Sequence, residues 1–228
     1  MSITIRTATP EDVDALAALN REAYPDLVQD GVVFDAHHLR AHQAVFPRGQ
    51  LVAVLDGQLV GGIATLIPPR GLDPLGPHTW IGITDAGTFS RHDPGGDTLY
   101  LADIYVAQRA WKAGVGRALY AALFRLCRDL GVANVVGGGR LYDYVDAPRS
   151  LAPAEYVAQV IRGERVDRVL VSQLRAGFEV RGLLPAYLHD WRSRHVATLI
   201  VWDNPDRLSS SRHEAAPDLV PKRPAPVT

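Results

Sequence analysis

The sequence is poor in cysteine, in charge of one sign and in long apolar runs, and each absence excludes a class of protein. Cys127 is the only cysteine among 228 residues. No intrachain disulfide can form, so we interpret Cys127 as a small buried hydrophobe in a protein of a reducing, cytoplasmic compartment. The formal net charge of −1 provides no overall field to attract nucleic acid or an anionic membrane. No apolar run approaches the roughly 20 residues that span a bilayer, and the start, MSITIRTATPEDV, lacks the apolar core of a signal peptide.

What the chain does have is a hydrophobic content of 47%, enough for one domain with a sizeable core. Its periodicity predicts an α/β mixture in the order β-α-α-β-β-β-α-β-α-α-β-β. Strands are predicted over 3–8, over 51–67 as a hairpin turning at 56–57, over 98–107 and 134–139, and from 179 and 195. Helices are predicted over 9–23, 34–46, 116–130, 152–163 and 166–176. The Gly/Pro-rich segment 68–97 contains a strand-like piece at 80–84 and is long enough to suggest a functional loop. Residues 1–204 are interpreted as one domain and 205–228 as a disordered tail.

Two glycines, Gly114 and Gly116, stand where a predicted strand passes into a long amphipathic helix. The first N–H groups of a helix lack internal partners, so together with the helix dipole they form an anion site. Glycine lets a phosphate approach this backbone without meeting a Cβ atom. The alternative is a plain tight turn, since neither the Walker pattern nor the third glycine of the dinucleotide pattern is present.

The surrounding stretch DIYVAQRAWKAGVGRALYAAL, residues 103–123, resembles motif A of the GNAT superfamily of acyl-CoA-dependent N-acyltransferases. The match is Trp111-x-x-Gly114-x-Gly116, with Trp111 in place of the usual Arg or Gln. The resemblance implies a mixed sheet of about six to seven strands, flanked by helices and splayed at the strand before the coenzyme A pyrophosphate loop. It implies acetyl-CoA as acyl donor and no metal. The cofactor positions that it implies are Ile104, Tyr105 and Val106 beside the pantetheine arm, and Trp111, Lys112, Ala113, Gly114, Val115, Gly116 and Arg117 around the phosphates, with Arg109 as a further source of positive charge.

Other stretches resemble one branch of these domains, which often precedes a nitrilase-like hydrolase domain. They are HDPGGDTLYLADIYV, VVGGGRLYDY, LAPAEYVAQVIRGE and SQLRAGFEVRGLLPAYL. The resemblance covers most of residues 1–204. It implies a fold and a cofactor more firmly than it implies a substrate.

Transfer of an acyl group to an amine needs a base for the amine proton, and an acid assists the leaving thiolate. Asp103 is the candidate base, because it interrupts an apolar strand where burial would raise its pKa; a structural carboxylate is the alternative. Relatives place a tyrosine four residues before a Gly-Phe pair, where this chain has Gln173 with Ser172 beside it. Tyr144 is therefore the candidate acid, against the alternative of a surface tyrosine.

The acceptor pocket is predicted from the residues that flank these positions. Trp80, Thr84 and Asp85 of the long loop are candidates for its wall, against simple surface packing. Arg140 is a candidate to bind a substrate carboxylate, or else to pair with Asp143 or Asp146. The glycines at 137–139 either leave room for substrate where the strands splay or form a bulge.

The sequence thus predicts an N-acetyltransferase for a primary amine, which we expect to be a small molecule that reacts in a ternary complex. Peptide and protein amines stay open, as does assembly into a homodimer. The rivals are a non-catalytic acyl-CoA sensor and an interaction module for a separately encoded hydrolase. A metal on the pair His38 and His42, which could share a helical face with Asp35, is the least favoured interpretation, because no further ligand is evident nearby.

Overall fold

A seven-stranded mixed sheet forms the centre of the fold in the computed structural model, which describes residues 2–28 and 31–207. Its strands are β1 (Ile3–Thr7), β2 (Gln50–Leu55), β3 (Gln58–Leu66), β4 (Thr98–Val106), β5 (Asn134–Arg140), β6 (Glu179–Leu184) and β7 (Ala197–Asp203). The order across the sheet is β1-β2-β3-β4-β5-β7-β6, and β4 and β5 are parallel while all other neighbours are antiparallel. The predicted mixed sheet is confirmed.

Helices cover both faces of this sheet. They are α1 (Val13–Ala23), α2 (Ala36–Val45), α3 (Trp80–Thr84), α4 (Val115–Leu130), α5 (Pro153–Ile161) and α6 (Arg168–Ala176). The apolar sides of α1 and α2 share one core cluster with one face of the sheet, and α4 shares a second cluster with the other face. Cys127 lies fully buried in the second cluster, as interpreted. A third cluster joins α5, α6 and the segment after β5.

Local signals in the sequence explain where several elements begin and end. Asp56 and Gly57 both have positive φ angles, 48° and 84°, as a tight hairpin turn requires. The first helical turn is closed by Asp12, whose carboxylate accepts the backbone N–H of Thr9 at 2.8 Å. β6 stops at Leu184 because Pro185 follows, and proline has no N–H to donate to a ladder.

The strand-like piece predicted at 80–84 is wrong, because these residues form the short helix α3. Thr79 caps it by accepting the N–H of Gly82 at 3.1 Å, and Asp85 ends it in the left-handed conformation with φ 53°. The ring of Trp80 is buried in the core cluster that α1 shares with the sheet. This packing overrides the strand propensity of the segment.

The tail predicted from Pro205 onward falls largely on 208–228, which lie outside the described residues. Within the described part of the chain, no helix has the length and apolar character needed to cross a bilayer.

Candidate functional site

The sheet opens between β4 and β5. These strands pair only from Thr98–Leu101 to Asn134–Gly137, after which β4 stays with β3 and β5 stays with β7. A cavity of about 920 Å³ fills the opening. Its wall includes the start of α4, the end of β4, parts of α6 and the segment after β6. The splay that the resemblance implied is therefore present at the predicted strand.

The first turn of α4 presents free backbone donors to this cavity. Gly114 has φ 89° and precedes the helix, and Ala118 is the first residue whose N–H bonds back to its carbonyl, at 3.1 Å. The N–H groups of Val115, Gly116 and Arg117 thus have no intrahelical acceptor. A Cβ atom added at Gly116 would meet nothing within 4 Å, so open space lies directly above the turn. This arrangement fits an anion such as a pyrophosphate.

Among the described residues, five cations line the cavity. Lys112 and Arg117 flank the start of α4, Arg168 and Arg175 belong to α6, and Arg140 ends β5. Arg109, a predicted source of charge, instead forms an ion pair with Glu22 at 3.2 Å and is not part of the wall. All the predicted cofactor positions line the cavity except Ala113, which packs against the α4 cluster.

Trp111, the departure from the family motif, fixes the glycine loop to the end of β4. Its indole Nε1 donates to the carbonyl of Val106 at 2.9 Å, while half of its surface stays exposed. Trp111 therefore holds the loop against β4 through its indole N–H.

The unpaired edge of β4 carries two more such contacts. Trp80 donates its indole N–H to the carbonyl of Ala102 at 3.1 Å, and Tyr24 donates its hydroxyl to the carbonyl of Ile104 at 2.9 Å. N–H and C=O groups of one residue point the same way in an antiparallel ladder, so the N–H of Ile104 also points away from β3, and its hydrogen bond to the Asp103 carboxylate lowers the pKa of that group.

A bulge in β4 sets the direction of Asp103. Ala64 of β3 pairs with Asp103 and Thr65 pairs with Leu101, so Ala102 has no opposite residue. A bulge turns the side chains that follow it, and here the Asp103 carboxylate reaches the side of the sheet that α1 covers.

The Asp103 carboxylate is held by two donors from α1 and the residue after it. Asn20 Nδ2 lies 2.5 Å from one oxygen, and the Tyr24 hydroxyl lies 2.6 Å from the other. Burial raises the pKa of Asp103 to about 6, against the lowering effect of these hydrogen bonds. Asp103 lines the cavity. The structure therefore places the candidate base at the opening with a pKa close to neutrality.

Arg140 also lines the cavity, but its partners differ from those predicted. Its guanidinium binds Asp190 through Nε at 2.7 Å and Nη2 at 2.8 Å, and it binds Asp26 through Nη2 at 2.5 Å. The predicted pairing with Asp143 or Asp146 is wrong, since Asp143 pairs with Arg168 at 2.8 Å. Arg140, Asp26 and Asp190 form a cluster with one more negative charge than positive. Arg140 therefore has little attraction left for a substrate carboxylate.

Tyr144, the candidate acid, lies away from the cavity. It is buried in the α5–α6 cluster, where its hydroxyl donates to the carbonyl of Leu151 at 2.5 Å. Tyr144 is also not the surface tyrosine that was predicted as the alternative. The 3-10 turn at Tyr144–Asp146 directs this ring into the helical layer because that layer supplies an apolar surface.

Of the loop candidates, the structure brings only Trp80 to the cavity wall. Thr84 is fully buried, and its hydroxyl donates to the carbonyl of Trp80 at 2.6 Å. Asp85 ends α3 and accepts the Ser90 hydroxyl. Thr84 and Asp85 therefore stabilise the loop and do not form an acceptor wall.

The glycines of β5 make room for the protein's own side chains. A Cβ at Gly138 would lie 2.5 Å from the hydroxyl oxygen of Tyr187, and one at Gly139 would lie 2.3 Å from Thr198 Oγ1 and 2.6 Å from Gln173 Oε1. Gln173 itself lines the cavity, is buried, and has no partner for Oε1 among the described residues.

The predicted histidine positions do not form a metal centre. Asp35 caps α2, with His38 Nδ1 at 2.8 Å, while His42 is buried with Nε2 at 2.6 Å from the carbonyl of Gly87. Among the described residues, no three His, Cys, Asp or Glu side chains are grouped to hold an ion.

Sequence reasoning missed several side chains that form this site. They are Asn20, Tyr24, Asp26, Tyr187 and Asp190. Asn20 offered a signal, because it is a polar residue on the apolar face of α1. The others offered none, because their partners are distant in sequence.

The fold agrees with the comparisons to known proteins. The chain belongs to the acetyltransferase (GNAT) family, whose model matches residues 13–138. It is similar to the uncharacterized N-acetyltransferase YkwB of Bacillus subtilis (strain 168), with 32% identity over 204 residues that cover 89% of each chain.

Two further similarities concern a longer protein and a solved structure. The probable hydrolase YhcX of the same organism is 32% identical over 208 residues, and the chain spans only 39% of its length. This match agrees with the predicted hydrolase-associated branch. The structure of the GphF GNAT-like decarboxylase in complex with isobutyryl-CoA has a TM-score of 0.75 and 25% identity, covering 88% of this chain and 99% of that one.

Proposed function

We propose that this chain transfers an acetyl group from acetyl-CoA to the primary amine of a small molecule, by direct attack in a ternary complex. The observation that supports this is the joining, in one cavity, of the anion site at α4 with the carboxylate of Asp103. When bound, acetyl-CoA supplies an activated thioester. The name of the relative YkwB supports the same class of reaction.

The donor half of the site is assigned to α4 and the edge of β4. The free N–H groups at the start of α4 bind the pyrophosphate, with Lys112, Arg117 and Arg175 supplying positive charge. The N–H groups on the unpaired edge of β4 are assigned to polarise the thioester carbonyl.

The acceptor half is assigned to the side that faces α1. Asp103 accepts a proton from the amine, which must be neutral to attack. The cluster of Asp26, Arg140 and Asp190 carries one more negative charge than positive, so it favours a cationic acceptor. The ring of Trp80 adds a face that attracts a cation.

A second candidate is an acyl-CoA-binding protein without turnover. The observation in its favour is Gln173, whose amide occupies the cavity position where relatives have a tyrosine. An amide can donate a hydrogen bond to a leaving thiolate but cannot protonate it.

The test combines calorimetry with a product assay across a panel of small amines, diamines and amino acids. We expect acetyl-CoA binding and an acetylated amine product, with non-acidic amines preferred. Binding without product from any amine would support the second candidate, and absence of binding would contradict both.

A further inference from the structure

Three buried or half-buried side chains form a hydrogen-bonded chain that begins at the cavity. The hydroxyl oxygens of Tyr187 and Tyr100 lie 2.8 Å apart, and the Tyr100 oxygen lies 2.9 Å from His78 Nε2. His78 Nδ1 lies 2.9 Å from the carbonyl of Gly76. Tyr187 lines the cavity, Tyr100 is fully buried, and His78 is half-exposed on the loop 68–97.

The contact between His78 and the carbonyl of Gly76 determines which partner donates in each of the other hydrogen bonds. The carbonyl of Gly76 can only accept, so the neutral ring of His78 carries its proton on Nδ1 and presents Nε2 as an acceptor. Tyr100 then donates to His78, and Tyr187 donates to Tyr100. The hydroxyl groups of Tyr187 and Tyr100 therefore both donate in the direction that leads from the cavity to the surface.

The cavity end of the chain lies at the point where the sheet opens. Tyr187 packs over Gly138, the first residue of β5 beyond the last β4–β5 pair. The backbone N–H of Trp80 donates to the carbonyl of Tyr187 at 2.9 Å, which fixes the tyrosine against the loop. Asp103 lines the same cavity.

We propose that Tyr187, Tyr100 and His78 conduct a proton from the acceptor amine to solvent, an inference that rests on the proposed function. An ammonium group loses two protons in becoming an amide, while one carboxylate such as Asp103 holds only one. As the N–C bond forms and the C–S bond breaks, the proton that Asp103 takes from the amine ends on the sulfur of the released thiol, which returns Asp103 to its ionised form. The other passes from nitrogen to Tyr187, as Tyr187 gives its proton to Tyr100 and Tyr100 gives its own to His78 Nε2. The imidazolium then releases a proton to water.

The first test interrupts the chain with Tyr100→Phe and Tyr187→Phe, singly and together. Each variant should lower kcat about 10²-fold with unchanged affinity for acetyl-CoA by calorimetry. The double variant should be no worse than either single one, because one break suffices. Tyr156→Phe is the matched control, since Tyr156 is an equally buried tyrosine that bonds to Asp167 away from the cavity.

The second test uses His78→Ala, which opens a space at the half-exposed end. Added imidazole should restore formation of the acetylated product in His78→Ala but not in His78→Ala/Tyr100→Phe, with non-enzymatic acetylation subtracted. Independently of activity, ¹⁵N NMR should show His78 as the Nδ1–H tautomer in the protein without ligands.

Folded phenylalanine variants with kcat within twofold of the unaltered protein would overturn the proposal, and so would the Nε2–H tautomer or failure of imidazole to rescue. These results would leave the proposed function intact. An unaltered protein that acetylates no amine would instead contradict the proposed function and the proton path with it.

Discussion

At the scale of single residues, the carboxyl group of Asp103 is subject to two opposing influences. Burial disfavours its ionised form, whereas the donors Asn20 and Tyr24 favour it, and the resulting pKa is about 6. A base must be ionised to accept a proton. We therefore expect kcat/KM to rise with pH through about 6 and to level off above it.

Asp103→Asn should lower turnover by about 10²–10⁴-fold and remove the rise near pH 6, while affinity for acetyl-CoA stays nearly unchanged. The fold should persist because an amide can still accept from Asn20 and donate to the Tyr24 oxygen, whose proton then turns to the carbonyl of Ile104. Steady-state kinetics across pH, with calorimetry for binding, measures both effects. Normal turnover would show that Asp103 is structural.

Tyr24→Phe provides the matched test of the cause of this pKa. It removes a hydrogen bond that lowers the pKa of Asp103, so the rise in kcat/KM should move to higher pH. The activity at the plateau should change less than in Asp103→Asn. A midpoint that stays in place would contradict the assignment of the pH dependence to Asp103.

The residue scale also shows how far the sequence could predict the site. Asp103 was detectable because a charge interrupts an apolar strand. Arg140 was detectable, but its partners Asp26 and Asp190 are 114 and 50 residues away. Only the folded chain brings such residues together, so local spacing suggested Asp143 and Asp146 instead.

At the scale of elements, the start of α4 combines a helix terminus with an open approach. Gly116 stands in its first turn without a positive φ angle, so the backbone there accepts any L-residue. The absence of a side chain at Gly116 therefore gives a ligand access to the helix N-terminus and is not required by the backbone conformation of the turn.

Substitutions at Gly116 should therefore change stability and affinity in opposite directions. Gly116→Ala should stabilise the fold by about 0.5–1 kcal/mol through helix propensity, yet weaken coenzyme A binding. Gly116→Val should weaken binding about tenfold or more, which is roughly 1.4 kcal/mol. Melting curves and calorimetry measure the two quantities, and unchanged affinity in both variants would contradict the pyrophosphate assignment.

Elements with strong local signals were predicted well, and α3 was not. The hairpin at Asp56–Gly57 and the end of α4 at Gly131 depend on positive φ angles that these residues adopt readily. The segment Trp80–Thr84 is rich in residues that favour strands, but its conformation is decided by the Thr79 cap and by burial of Trp80.

At the scale of the whole molecule, three histidines attach the loop 68–97 to the sheet and helices. His42 reaches the carbonyl of Gly87, His78 reaches Tyr100, and His92 Nδ1 accepts the N–H of Ile67 at 3.0 Å. Burial lowers the pKa of all three, that of His42 to about 4. Each ring therefore binds a proton less readily in the folded protein than in the unfolded chain.

The contribution of His42 to stability should be lost as the pH falls from about 6.5 to about 4, while Asp103, whose pKa is raised to about 6 in the folded state, contributes in the opposite direction. In this range the unfolded chain binds a proton at His42 and the folded chain does not, which favours unfolding by about 3 kcal/mol. Urea unfolding of the unaltered protein and of His42→Gln, at pH 7.5 and 4.5, isolates this contribution. Between pH 7.5 and pH 4.5 the free energy of unfolding should fall further in the unaltered protein than in the variant, and an equal change in both proteins would refute the role of His42.

The carbonyl contacts along β4 have a consequence for the shape of the acceptor. A split sheet exposes strand edges on which an extended peptide can add itself as a new strand. Here the outward carbonyls of β4 are already engaged by Trp80, Tyr24 and Trp111. A peptide that extended the sheet would have to displace these donors. We therefore expect an acceptor to enter end-on, amine first, and substrates that need main-chain pairing to be rejected.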